Sequence, residues 1–185
     1  VLELRIEDID YSRCTSVFEN QIYDDLNWLG IKWKKAPIKQ SKRLALYSKY
    51  LKKLANMGLL YSCDCTRSDI KNALSAPSSQ HKNLKSEIYP GLCKNKKLSP
   101  SGRNIRLNVL KAKEYLEEKN LSFVEKGVGP NRDNGLQFFS IDWIYNNYGD
   151  FIIARKDIKT SYHLSVTIDD AIQNKKLYDL LCGQE

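Results

Sequence analysis

No apolar run in the sequence approaches the ~18 residues that a membrane-spanning helix needs, so no segment reads as crossing a bilayer. The first residues, Val1-Leu2-Glu3-Leu4-Arg5, have none of the basic, apolar and cleavage regions of a secretory signal. An initiator methionine is also missing there, and Val1 is not expected to be the natural start. There is no internal repeat and no extended low-complexity tract, which leaves an ordinary globular chain. Cysteine is present but lacks the even count and regular density of a secreted disulfide scaffold.

The chain has 185 residues, enough for one domain with a full core, or one domain and a small insertion. Hydrophobic residues make up 42% and charged residues 28%, as in soluble globular proteins. Thirty basic residues against 22 acidic ones give a net charge of +8. Such an excess favours a polyanionic partner through steering and counterion release. A lysine-rich surface that only keeps the protein soluble accounts for it equally well.

Alternating Leu2, Leu4 and Ile6 predict a strand that ends on Glu7-Asp8-Ile9-Asp10. Ligands of α/β sheets bind beyond the carboxyl ends of strands, so these carboxylates are candidates for a site. Val17, Phe18, Ile22, Leu26 and Leu29 recur at helical spacing up to Gly30, and Ile31 and Trp33 suggest an extended piece ending near Pro37. A second helix is predicted over 41–57, with Leu44, Tyr47, Leu51 and Leu54 on its buried face and Gly58 as its stop. Residues 75–102 have no apolar period and read as a long loop or small insertion. Strands are predicted at 103–107, 151–153 and 164–168, a short charged helix at 111–120, and a Gly- and Asn-rich loop at 125–137. The order implies an α/β domain, divided as 1–60, an insertion at 61–102, and 103–185.

Three of the five cysteines, Cys63, Cys65 and Cys93, fall close together, which reads as metal binding in a reducing cytoplasm. On an extended segment residues i and i+2 project to one face, so Cys63 and Cys65 can present two thiolates together. Cys93 would supply a third donor, and His81 is a conventional fourth in the same loop. Three buried free thiols are the plain alternative.

Four segments then carry a family likeness. They are Leu4-Arg5-Ile6-Glu7-Asp8-Ile9-Asp10 with Arg13 and 25–33; Gln40-Ser41-Lys42-Arg43 with Tyr47 and Tyr61-Ser62-Cys63-Asp64-Cys65-Thr66-Arg67; Tyr89-Pro90-Gly91-Leu92-Cys93; and 150–157 running on to Ser161-Tyr162-His163-Leu164 and Asp169-Asp170. In order and spacing, over nearly the whole chain, they resemble the glutamyl subgroup of class I aminoacyl-tRNA synthetases. Ile9, where discriminating members usually have threonine, and the Cys-x-Cys…Tyr-x-x-x-Cys pattern resemble the glutamyl-Q branch within it.

The resemblance implies a partial Rossmann-like nucleotide-binding domain with a small zinc-binding insertion. It implies a cytoplasmic monomer that activates glutamate with ATP and Mg2+ and attaches it to queuosine in tRNA(Asp). It implies a structural Zn2+ on Cys63, Cys65, Tyr89 and Cys93, with His81 outside the set. It matches Glu7 to the residue that contacts the amino group of glutamate, and Tyr162 to a tyrosine of the glutamate pocket. Judged alone, Glu7 reads rather as a surface carboxylate paired with Arg5 or Arg13, and Tyr162 rather as an ordinary core tyrosine. Asp169 and Asp170 read as orienting ribose, tRNA or an arginine, or as the cap of a helix beginning Asp170-Ala171-Ile172. In two places the chain departs from the pattern. Cys182 stands where the family has an arginine that helps hold glutamate, and neither a His-x-Gly-His-like nor a Lys-Met-Ser-Lys-Ser-like signature is present. On that basis the segment reads as incomplete at both ends. A catalytically dead zinc- or RNA-binding remnant, and a fragment of a discriminating glutamyl-tRNA synthetase, are the competing readings.

Overall fold

Residues 2–75, 88–116, 120–128 and 134–173 are described in the computed structural model. The fold opens with a short βαβ unit. β1 (Arg5–Ile6) and β2 (Ile38–Lys39) pair in parallel, with Arg5 opposite Ile38 and Ile6 opposite Lys39, and α1 (Ser16–Trp28) lies between them in the chain. Thr15 starts α1, its side-chain oxygen accepting from the Phe18 amide. The extended piece expected at Ile31 and Trp33 forms instead beyond Pro37, as β2.

A 3-10 turn, Gln40–Arg43, leads into α2 (Leu44–Asn56), which buries Tyr47 fully and packs Leu44, Leu51 and Leu54 on the core, as the apolar spacing predicts. Gly58 ends it at φ 68°, a left-handed conformation that lets the Gly58 and Leu59 amides return to carbonyls of the last turn. β3 (Leu60–Cys63), β4 (Asn104–Leu107) and β7 (Ile152–Ala154) form an antiparallel sheet in the order β3-β4-β7. Between β3 and β4, α3 (Arg67–Ser75) adds a helix that the apolar pattern does not announce.

Three further expectations change. The charged helix of 111–120 is shorter and earlier: α4 (Val109–Ala112) runs into a 3-10 turn at Lys113–Tyr115, because Asn108 caps the Lys111 amide. The loop expected over 125–137 joins a hairpin, β5 (Asn120–Glu125) and β6 (Gly135–Ser140), which is followed by α5 (Ile141–Tyr148). The run 164–168 is not a strand. It lies in α6 (Tyr162–Ile172), where Leu164, Ser165, Ile168 and Asp169 are buried at helical spacing and Ser161 caps the Leu164 amide. Asp169 and Asp170 therefore sit in the last turns of a helix and cap no helix start.

The core, Ile9, Tyr47, Ile153, Ile158, Leu164 and Ile168, lies where β1, α2, β7 and α6 meet. A second cluster is built on Cys63, Tyr89 and Cys93. No described helix is long and apolar enough to cross a membrane.

Candidate functional site

The end of β1 and the start of α6 face each other across a cleft of about 480 Å3, lined by Glu7, Asp10, Arg13, Arg155, Ser161 and Tyr162 among others. Glu7 follows β1 directly and keeps an exposed carboxylate, with Oε1 accepting from Arg5 Nη2 at 3.1 Å. Tyr162 is the first residue of α6 and is 46% exposed, which excludes the core reading. Its phenol is pushed above its ordinary pKa by burial and by the Glu7 charge, so it stays a neutral donor. Asp10 is held below the usual carboxylate range by the Ser12 hydroxyl, which donates at 2.6 Å, and by Arg13 and Arg155. Asp8 does structural work, accepting from both the amide and the hydroxyl of Ser41.

Behind the cleft, Asp169 is fully buried and does not line it. Tyr47 Oη donates to its Oδ2 at 2.7 Å, Gln40 Nε2 donates to the same oxygen at 3.1 Å, and Arg43 Nε stands 2.9 Å from Oδ1. Of the readings open for the aspartate pair, contact with an arginine is the one observed: Asp169 faces Arg43, and Asp170 takes Arg5.

The second locus is the thiol cluster. β3 ends on Cys63 and delivers Cys65 two residues on; Cys93 returns to them on a tight turn from Tyr89. The three sulfur atoms lie within 4.8 Å of one another, with Cys65 Sγ and Cys93 Sγ 3.3 Å apart. Tyr89 Oη stands 3.4 Å from Cys63 Sγ and 3.7 Å from Cys65 Sγ, and accepts from the Cys93 amide at 2.8 Å. Burial pushes the Cys63 thiol up, but hydrogen bonds from Tyr89 and Arg106 outweigh it and the net shift is downward. Burial and the hydrogen bond with Cys93 push Cys65 up to about 12.

Three soft sulfur donors and a phenolic oxygen at these separations suit a closed tetrahedral metal site, whose sulfur atoms stand about 3.8 Å apart around zinc. Cys65 and Cys93 would open slightly to accept it. His81 and Cys182 lie outside the described residues.

Arg106 was not singled out by its sequence position. It is 6% exposed, stacks its guanidinium 3.6 Å from the Tyr89 ring centroid, and donates to the Asp150 carbonyl at 2.7 Å. Asp150, 1% exposed, takes Tyr61 Oη, the Val109 amide and Lys94 Nζ. An arginine between Ile105 and Leu107 in a short apolar strand was the available signal.

The family model for tRNA synthetases class I (E and Q), catalytic domain, matches residues 1–185. The chain belongs to that family. Within it, the glutamyl-Q tRNA(Asp) synthetase of Rhodobacter capsulatus is 39% identical over 172 residues, covering 92% of this chain and 60% of that protein. The protein of the same name from Cupriavidus metallidurans is 33% identical over 92% of this chain and 50% of its own length. The glutamate–tRNA ligase of a Hydrogenobaculum species is 33% identical over 98% of this chain and 36% of its own length. The chain thus spans about half the length of such relatives. Among solved structures, the glutamate-tRNA synthetase of Elizabethkingia anophelis shares the class I synthetase fold, with a TM-score of 0.60 over 92% of this chain and 35% of that one, at 19% identity.

Proposed function

We propose that this chain is the amino-acid-binding part of a glutamyl-Q tRNA(Asp) synthetase, a cytoplasmic monomer that activates glutamate with ATP and Mg2+ and transfers it to queuosine in tRNA(Asp). The observation that carries the reading is the cleft in which the Glu7 carboxylate and the Tyr162 phenol stand together. Glu7 accepts charge-assisted hydrogen bonds from the substrate ammonium, and Tyr162 gives a hydroxyl and an apolar wall. Activation needs no nucleophile from the protein. A glutamate carboxylate oxygen attacks the α-phosphorus of ATP, pyrophosphate leaves, and AMP leaves when a queuosine hydroxyl takes the glutamyl group. The contribution of these residues is placement of the carboxylate. Cys182, at the position of the family arginine, offers no guanidinium fork for the substrate carboxylate, so a weak glutamate affinity goes with this assignment.

Cys63, Cys65, Tyr89 and Cys93 would hold a structural Zn2+ in the 61–102 insertion, between catalytic segments 1–60 and 103–185. Four protein donors leave no open position, so the metal would order the insertion and take no part in the chemistry.

The test is glutamate-dependent ATP–pyrophosphate exchange by the complete protein, followed by transfer to tRNA(Asp) with and without queuosine. Exchange together with queuosine-dependent transfer is expected, and Glu7→Ala should raise the KM for glutamate about tenfold or more while leaving that for ATP within about twofold. Charging of tRNA(Glu) instead would move the protein to the discriminating branch, and no exchange at all would make it a remnant.

A further inference from the structure

Arg5 and Glu7 are two residues apart at the end of β1 and so fall on one face of the strand. The Arg5 side chain is 14% exposed and uses both ends of its fork. Nη2 donates to Glu7 Oε1 at 3.1 Å, while Nη1 donates to Asp170 and, at 3.2 Å, to Gln173 Oε1. Arg5 therefore ties the cleft carboxylate to the last turn of α6. Glu7 Oε2 has no partner among the described residues. Within this group one guanidinium is shared between two carboxylates, Glu7 and Asp170.

We propose that Arg5 is a positioning residue for amino-acid recognition: it commits one oxygen of Glu7 and leaves the other to accept from the substrate ammonium. The proposal rests on the reading of the cleft as the amino-acid site. A lysine keeps the charge but cannot span Glu7 and Asp170 together, because a single ammonium replaces the planar fork.

The experiment is calorimetric titration of the full chain with glutamate and with glutarate, which has the same carboxylates and no amino group. Wild type binds glutamate more tightly. Arg5→Lys should weaken glutamate about tenfold and leave glutarate within about twofold, since only the ammonium contact depends on the fork. Glu7→Gln should then add little in the Arg5→Lys background, as expected of coupled groups. Asp170→Ala, which removes the other charged anchor of Arg5, should give the same selective loss and serves if Arg5→Lys does not fold. Equal weakening of both ligands, or additive effects of the Arg5 and Glu7 substitutions, would overturn the positioning role. If wild type shows no preference for glutamate, or Glu7→Gln leaves the preference intact, the amino-acid reading of the cleft fails and the role of Arg5 falls with it. A selective Glu7→Gln effect beside a silent Arg5→Lys sinks the Arg5 role alone.

Discussion

Asp169 shows how much a single buried charge commits the surrounding side chains. Its carboxylate is fully enclosed and is met by the Tyr47 hydroxyl, the Gln40 amide and the Arg43 guanidinium. The Arg43 contact is an ion pair without hydrogen-bond alignment, so the two neutral donors do most of the directional holding. Removing the carboxylate would leave two buried donors and the half-buried guanidinium of Arg43 without their acceptor. Asp169→Ala is expected to cost about 3–5 kcal/mol, against about 1 kcal/mol for Tyr47→Phe, which deletes one donor and leaves the charge paired. Urea denaturation of both variants checks this, and equal losses would show that packing rather than charge dominates. Gln40, Arg43, Tyr47 and the aspartate pair were all visible in the sequence as parts of one pattern. Their mutual contact was not, because it joins α2 to α6 across more than half the chain and no local period encodes it.

At the level of elements, helices with a one-sided apolar period were legible and those stabilised by polar groups were not. α2 was readable from Leu44, Tyr47, Leu51 and Leu54. α6 reads as a strand because Leu164, Val166, Thr167 and Ile168 are strand-like, while the Ser161 cap starts a helix within which Ser165 and Thr167 satisfy their hydroxyls on carbonyls one turn back. The thiol cluster was legible from Cys63, Cys65 and Cys93, since it depends on residue type and spacing. Its support was not. Gly149 ends α5 at φ 64° and bridges to Tyr89, and a Cβ there would come 2.9 Å from Ile88 Cγ2 and 3.1 Å from the Tyr89 carbonyl oxygen. Gly149→Ala must therefore strain its own backbone or push Tyr89 away from the thiols. We expect a stability loss of about 1–3 kcal/mol and zinc affinity lowered about tenfold or more. Competition with a chromophoric chelator reads the affinity, with Cys63→Ser as the control that should release the metal. Unchanged affinity in Gly149→Ala would show that the strain stays at Gly149 and Ile88 and that Tyr89 is not pushed off the thiols.

At the level of the whole molecule, burial is concentrated around the core and the thiol cluster. α1 keeps the apolar spacing expected of it, yet Val17, Phe18 and Leu29 are each at least 60% exposed, and none of the described residues covers them. The two buried regions hold most of the groups that resist ionisation. Burial raises the phenols of Tyr47, Tyr61 and Tyr89 above the ordinary value of 10.0, and Cys65 rises from 9.0 to about 12. A group whose folded pKa is raised contributes stability that is complete below its unfolded pKa and is lost as pH climbs towards the folded one. The metal-free protein should therefore be stable at neutral pH and lose stability progressively above about pH 9–10, where the unfolded Cys65 thiol and the unfolded phenols begin to ionise and their buried counterparts do not, while Cys63, shifted downward, works in the opposite direction. Zinc reverses the sign for its own donors, because a bound thiolate has already given up its proton and is favoured by rising pH. Circular dichroism and tyrosinate absorbance, followed together from pH 8 to 12 with and without chelator, separate these terms. Exposed tyrosines should titrate before the structure is lost and the buried ones only with it, and zinc should move the loss to higher pH. Smooth titration of all eleven tyrosines with no loss of structure would contradict the burial of the three phenols. A midpoint indifferent to zinc would instead count against the metal site.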